Sequence, residues 1–180
     1  MRRWTTVFST ALVLAMFGVM LAAQKTTEVH PGKGGSPHVK TAWVIDGANI
    51  SVEYGRPSLK GREEAKMMPV GQVWRMGADE QTTLVTDKPL KFGTLAVPAG
   101  TYGLHAMIND KDWQLVVSKR PKGWGIPYPE GQDLGRAPMK LGKTAKPVDP
   151  LTISIDDTAT GGVLRVEWGT QSATIPFTVG

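Results

Sequence analysis

The sequence contains no cysteine, which excludes disulfide staples, thiolate metal sites, cysteine nucleophiles and a lipid-modified cysteine. Histidine is nearly as scarce: His30, His38 and His105 are the only imidazoles in 180 residues. No long stretch of the body carries a 3.6-residue apolar rhythm, which argues against a helical bundle. Blocks of like charge are missing too. Arg2 and Arg3 account for two of the 21 basic residues, so the body beyond them carries +3 rather than the whole-chain +5. Its lysines are scattered, without the clustered patch and exposed aromatics of a nucleic-acid interface, so no nucleic-acid partner is expected. The G-x-S-x-G elbow and the H-E-x-x-H zinc helix do not occur. Asp156-Asp157 lacks the spaced acids of a calcium loop. Neither a metal nor a cofactor is expected.

The beginning of the chain has the order of an export signal. Met1-Arg2-Arg3 is positive, Val7 to Leu21 is apolar apart from Ser9 and Thr10, and Ala22-Ala23-Gln24 follows. Residues 1–23 are therefore expected to be a signal peptide, and the body to be periplasmic or secreted. The apolar run is close to the ~20 residues that span a bilayer, so an uncleaved anchor is the alternative and the one expected contact with a membrane. Residues 24–40, with Pro31-Gly32-Lys33-Gly34-Gly35-Ser36-Pro37, hold almost nothing apolar and read as a flexible linker. His30 and His38 fall inside it. An unfolded pair of histidines with no further ligand makes a weak metal site.

From Thr41 the apolar residues alternate. Ile50, Val52 and Tyr54 interleave with Asn49, Ser51 and Glu53; Leu151, Ile153 and Ile155 with Thr152, Ser154 and Asp156; Leu164, Val166 and Trp168 with Arg165 and Glu167; Ile175, Phe177 and Val179 close the chain. Period two marks strands with one face in a core and one toward water. Asp46-Gly47, Pro98-Ala99-Gly100, Asn109-Asp110 and Gly161-Gly162 supply the turns between them. The expectation is one all-β domain over residues 41–180, an antiparallel β-sandwich of eight or nine strands with a jelly roll as one form it could take. One short helix around Glu63–Met68 and a long loop over Pro121–Pro147 interrupt the pattern. A body of this size buries roughly 70% of its unfolded surface, enough to dispense with staples.

Two blocks carry a family resemblance: Val52-Glu53-Tyr54-Gly55-Arg56-Pro57-Ser58-Leu59-Lys60-Gly61-Arg62, and Gly71 to Leu84 with Val73-Trp74-Arg75-Met76-Gly77-Ala78-Asp79-Glu80 at its centre. Val97-Pro98-Ala99-Gly100-Thr101-Tyr102-Gly103-Leu104, then Trp113 to Ser118 and Trp124-Gly125, follow in order. Together they resemble a bacterial family known as domain of unknown function 2911 (DUF2911). The similarity runs from about Ile50 to the C-terminus. It implies a secreted or periplasmic β-rich protein and brings no activity, substrate or catalytic residue. Asp79 departs from the family's usual Asn, and Met67-Met68 stands where a bulkier aromatic or a glycine-containing stretch is expected.

The densest polar cluster is Arg75, Asp79 and Glu80, with Arg56 and Arg62 before it and Thr82 and Thr83 after it. One reading is structural, with Arg56 or Arg75 pairing bidentately with Glu80 to tie a loop to the sheet. The other is a ligand site: Arg56, Arg75, Asp79 and Glu80 as polar contacts, with Trp74 or Trp124 as a stacking face for an envelope saccharide or peptide. A third makes Glu80 and His105 an acid–base pair in a small periplasmic hydrolase. Period two sets His105 opposite Tyr102, Leu104, Ala106 and Ile108, away from the core. The sequence favours a binding or structural module over an enzyme.

Overall fold

The computed structural model describes residues 24–180, so the leader expected over residues 1–23 lies outside the described residues. The chain is nearly all strand: β1 Lys25–His30, β2 His38–Ile45, β3 Ala48–Gly55, β4 Gln72–Trp74, β5 Thr83–Thr86, β6 Leu90–Phe92, β7 Leu95–Val97, β8 Gly100–Ile108, β9 Trp113–Ser118, β10 Asp133–Thr158 and β11 Gly161–Val179. The helix expected around Glu63–Met68 is the single turn α1, Glu64–Met67. No helix among the described residues is long and apolar enough to cross a membrane.

The strands pair in the order β1-β2-β3-β5-β8-β9-β10-β11-β6-β7, with β4 added beside β8, and every pairing is antiparallel. The path does not close into a barrel. It folds over because β10 serves two layers: residues 133–139 pair with β9, and residues from Lys140 onward pair with β11. Ile50, Val52 and Tyr54 of the first layer and Ile153, Leu164, Val166 and Trp168 of the second are all buried in one core. Trp74 of β4 stacks on Trp168 of β11 at 6.0 Å between centroids and 7° between planes, and meets Trp113 edge-on. These contacts carry the sandwich expected from the alternating pattern.

The Asp46-Gly47 turn is the hairpin the sequence marks: both residues have positive φ, at 47° and 72°, the requirement of a type I′ turn. Two expectations are corrected. The stretch read as a flexible linker holds β1 and the first residues of β2, which pair from Lys25↔Ala42 to His30↔His38. The loop expected to reach Pro147 ends by Asp133, where β10 begins. Both stretches are rich in Lys, Gly, Pro and Thr and show outward-facing residues along most of their length; only Ala137, Met139 and Leu141 alternate with exposed residues, a run too short to stand out among the prolines and glycines.

Residues 54–57 run along the free edge of β10. Ile153 N–H donates to the buried Tyr54 hydroxyl at 2.9 Å, Leu151 N–H donates to the Pro57 carbonyl at 3.0 Å, and Arg56 donates through Nε to the Leu151 carbonyl and through Nη2 to Thr152 Oγ1. Backbone groups at a sheet edge need such partners when buried. Tyr54→Phe would strand the Ile153 N–H, and we expect it to cost about 1–3 kcal/mol of stability in urea denaturation; an unchanged midpoint would show that this bond does not join the layers.

Candidate functional site

The loop between β4 and β5 is built under strain. Met76 and Asp79 both have positive φ, at 54° and 58°, a region that costs most side chains about 1 kcal/mol or more and that Asp and Asn tolerate best. Arg75 holds the loop in place. Its Nη1 donates to the carbonyls of Asp79 at 2.6 Å and Trp124 at 3.0 Å, and its Nε donates to the Gly77 carbonyl at 3.3 Å. Thr82 Oγ1 donates to the Met76 carbonyl, and Ala78 N–H to the Gly55 carbonyl. Burial lowers the pKa of the Arg75 guanidinium, opposed by the charges of Asp79 and Glu80; an arginine remains protonated under such a pull.

This corrects the arginine–carboxylate network expected from the sequence. Arg75 and Arg56 both grip backbone carbonyls, and neither pairs with Glu80. Arg56 lies at the β10 edge, and Trp74 is inside the core. Trp74 is 7% exposed and shows only an edge, to a separate cleft of about 490 Å³ that Lys33, Arg62 and Arg75 also border. Trp124 offers an open aromatic face: it is 45% exposed, and Lys33 Nζ and Arg75 Cζ lie 5.8 Å and 5.5 Å from its ring centroid.

Asp79 and Glu80 turn toward the β1–β2 hairpin. The Asp79 carboxylate accepts the Lys33 N–H at 2.7 Å, and Arg56 N–H donates to the Pro37 carbonyl, so the hairpin turn is pinned to the strained loop. Gly32 makes the turn possible. Its φ is 71°, and a Cβ there would sit 1.9 Å from the Ser36 carbonyl oxygen, which excludes any other residue without rebuilding the turn. The effect is to set His30, His38 and Glu80 side by side.

His38 Nε2 lies 2.9 Å from Glu80 Oε2 and 3.1 Å from the Ala78 carbonyl oxygen. His30 Nε2 is 3.9 Å from the same carboxylate oxygen. The two imidazoles stack at 4.3 Å with 16° between planes, and Gly32 N–H donates to His30 Nδ1 at 3.1 Å. The His38 side chain is 3% exposed, while His30 and Glu80 are 42% and 50% exposed. All three border a cleft of about 490 Å³ with Glu53, Gln81 and Thr101 among its other walls. Sequence reasoning found Glu80 and missed its partners, because both histidines sit in the stretch taken for a linker. The signal available was two histidines flanking a Pro-Gly-Lys-Gly-Gly-Ser-Pro turn, the outline of a hairpin with an imidazole on each arm.

His105 is elsewhere and is not the outward-facing residue that period two implies. It is fully buried, both ring nitrogens lack a partner, and its ring meets Tyr128 edge-on at 5.0 Å. The segment 119–132 covers the face of β8 that would otherwise meet water: Lys119 N–H bonds the Gln132 carbonyl, and Tyr128 donates to Asp133, which also accepts from Arg136. Burial pushes the His105 pKa down to about 4, with Asp133 opposing, and burial together with the Asp133 bond pushes Tyr128 up. Among the described residues His105 shares no hydrogen bond or ion pair with Glu80, so that acid–base pair does not form.

The His105 shift fixes a pH dependence. The unfolded chain binds a proton near 6.5 and the folded one near 4, so stability is complete above about pH 6.5 and falls as pH drops toward 4, by about 3 kcal/mol. We expect denaturation midpoints measured from pH 4 to 7 to rise with this slope, and His105→Leu to flatten it. A slope unchanged in that variant would assign the titration to another group.

Compared with known families, residues 36–177 match the model described as Protein of unknown function (DUF2911). His38, Glu80, Arg75 and Trp124 lie within the matched residues and His30 lies before them. No curated protein and no solved structure is significantly similar to the chain. With a match that spans nearly the whole described body, the chain belongs to the DUF2911 family.

Proposed function

We propose that the protein is an exported binding module that takes a small, hydroxyl-rich ligand of the saccharide type in the cleft beside His30, His38 and Glu80. Export rests on the order of charges and apolar residues in the leader. The reading of the cleft rests on one observation above all: carboxylates, imidazoles, an amide and hydroxyls from separate segments converge on a single concavity. The Glu53 and Glu80 carboxylates can accept hydrogen bonds, Thr101 can donate or accept, and Thr83 can accept while its own proton goes to the Pro121 carbonyl. Lys122 brings a cation, and Val85 and Pro121 give the cleft an apolar side. A few directed polar groups on an otherwise shaped wall is the usual composition of a small-ligand site. Trp124 adds an exposed aromatic face at the adjoining rim, next to the Gln81 and Gly123 that border both concavities.

A hydrolase is the second reading, favoured by the 2.9 Å contact between His38 and Glu80. Here the partner of Glu80 is His38 and not His105. A carboxylate within hydrogen-bond reach of an imidazole, both opening on a cleft, has the geometry of an acid–base pair.

The deciding experiment is a titration of the chelator-treated protein with envelope oligosaccharides and short peptides, followed by thermal shift and amide chemical shifts. Saccharide binding is expected to raise the melting temperature and move the amides of Gln81, Thr83 and Thr101, and Glu80→Gln is expected to weaken it about tenfold. Binding by peptides alone would replace the ligand class, and no saturable response in either series would overturn the module reading. Turnover of activated glycosides or esters that is lost in both Glu80→Gln and His38→Gln would establish the hydrolase instead.

A further inference from the structure

His30 ends β1, His38 begins β2 and Glu80 comes from the strained loop, yet one ligand-capable atom from each lies within 4.8 Å of the other two. We propose that these three side chains hold one divalent transition-metal ion of the zinc or cobalt kind, with its remaining coordination positions open to the cleft. The inference rests on that cleft being the functional site.

The donor set selects the metal class. Two imidazole nitrogens and one carboxylate oxygen suit Zn²⁺ and its neighbours, whereas Ca²⁺ and Mg²⁺ require mostly oxygen ligands. Three protein ligands leave room for water or substrate, which distinguishes a working zinc site from a closed structural one. A tetrahedral zinc with bonds of about 2.0–2.1 Å separates its ligand atoms by roughly 3.3 Å; the contacts to Glu80 Oε2, 2.9 Å and 3.9 Å, bracket that value.

The backbone that carries the donors is held in place, and the two imidazoles, stacked with 16° between planes, must turn about their side-chain bonds to aim both Nε2 atoms at one ion. His30 and His38 face each other at the turn end of the hairpin as register partners. The Lys33–Asp79 bond fixes that hairpin against the loop bearing Glu80. A Cβ at Gly55 would lie 2.9 Å from His38 Nε2 and 2.3 Å from the Ala78 carbonyl oxygen, so the glycine keeps the space beside the imidazole clear. One ligand is buried and two are accessible, which gives the ion an entry path.

Protons identify what binding must change. His38 Nε2 faces two acceptors, the Glu80 carboxylate and the Ala78 carbonyl, so in the metal-free protein it carries the proton. His30 Nδ1 accepts the Gly32 N–H, so its neutral ring is protonated at Nε2. Coordination through Nε2 requires each ring to carry its proton on Nδ1 instead. A protonated Nδ1 on His30 cannot face the Gly32 N–H, so the Gly32 peptide must turn away, which the glycines at 32, 34 and 35 permit.

The test uses untagged, chelator-treated protein and the metals alone. Calorimetry with Zn²⁺ should saturate at one equivalent. Co²⁺ should give the visible d–d absorption of a low-coordinate site, and the Gly32 amide resonance should move. His38→Ala should abolish binding, and His30→Gln and Glu80→Gln should each weaken it by about 100-fold or more, beyond the loss typical of a supporting contact. Should His38→Ala fail to fold by circular dichroism, His30→Gln decides, since that side chain is half exposed. Absence of saturable binding, or binding unchanged in His30→Gln and Glu80→Gln, overturns the proposal. Because no saccharide is present, the outcome separates from the module reading: metal binding without saccharide binding removes the latter alone, and saccharide binding by a protein that takes no metal removes the former alone.

Discussion

The arrangement depends on how Arg75 uses its guanidinium. A cation among several carboxylates would ordinarily pair with one of them; here its N–H groups go to the carbonyls of Gly77, Asp79 and Trp124. Charge-assisted bonds of this kind are the stronger ones. They hold two non-glycine residues at positive φ, a conformation that persists only where its surroundings over-determine it. The same bonds join the β4–β5 loop to the segment that carries Trp124. With the loop so fixed, Asp79 reaches the Lys33 amide and Glu80 projects toward the histidines. Had Arg75 paired with Glu80, the carboxylate would have been neutralised and turned away from the cleft.

The parts of the fold that were legible in the sequence are those where burial is one-sided. Ile50, Val52, Tyr54 and Leu151, Ile153, Ile155 alternate because each strand has one face in the core and one in water. Asp46-Gly47 marks a turn through backbone demands that few other residues satisfy, and Gly161-Gly162 marks the strand start that follows the turn at residues 159–160. His105 defeats the same rule for a physical reason. β8 is covered on both faces, on one by the core and on the other by the 119–132 segment, so Gly103, Leu104, His105 and Ala106 are all buried in succession. Period two cannot report a second cover made by residues distant in sequence.

The candidate site was half legible. Glu80, Asp79 and Trp124 were all named from the sequence; Glu80 borders the cleft with the histidines, Trp124 borders the adjoining one, and Asp79 is buried and accepts the Lys33 N–H. Trp74 and Arg56 lie in the two blocks on either side of α1, yet strand direction sends Trp74 into the core and the β10 edge takes Arg56. Sequence proximity carried no information on which way they point. The histidines were hidden by the opposite cause. β1 is exposed along nearly its whole length, so it buries too little apolar surface to leave a pattern, and its stability comes from pairing with β2 and not from the core.

That exposed strand has a further consequence for how the site is assembled. β1 is a sheet edge, and its Lys25, Thr26, Thr27 and Glu28 are the polar residues that discourage another chain from adding to it. His38 is positioned independently of β1, since β2 pairs with β3 from His38↔Gly55 to Ile45↔Ala48. His38 and Glu80 therefore belong to the body matched by the family, whereas His30 is delivered by a hairpin arm that precedes it. Residues beyond a sheet's core strands tolerate change better than those within it. An edge hairpin pinned by one carboxylate is a route by which a two-donor cleft gains its third donor without any change to the sandwich beneath.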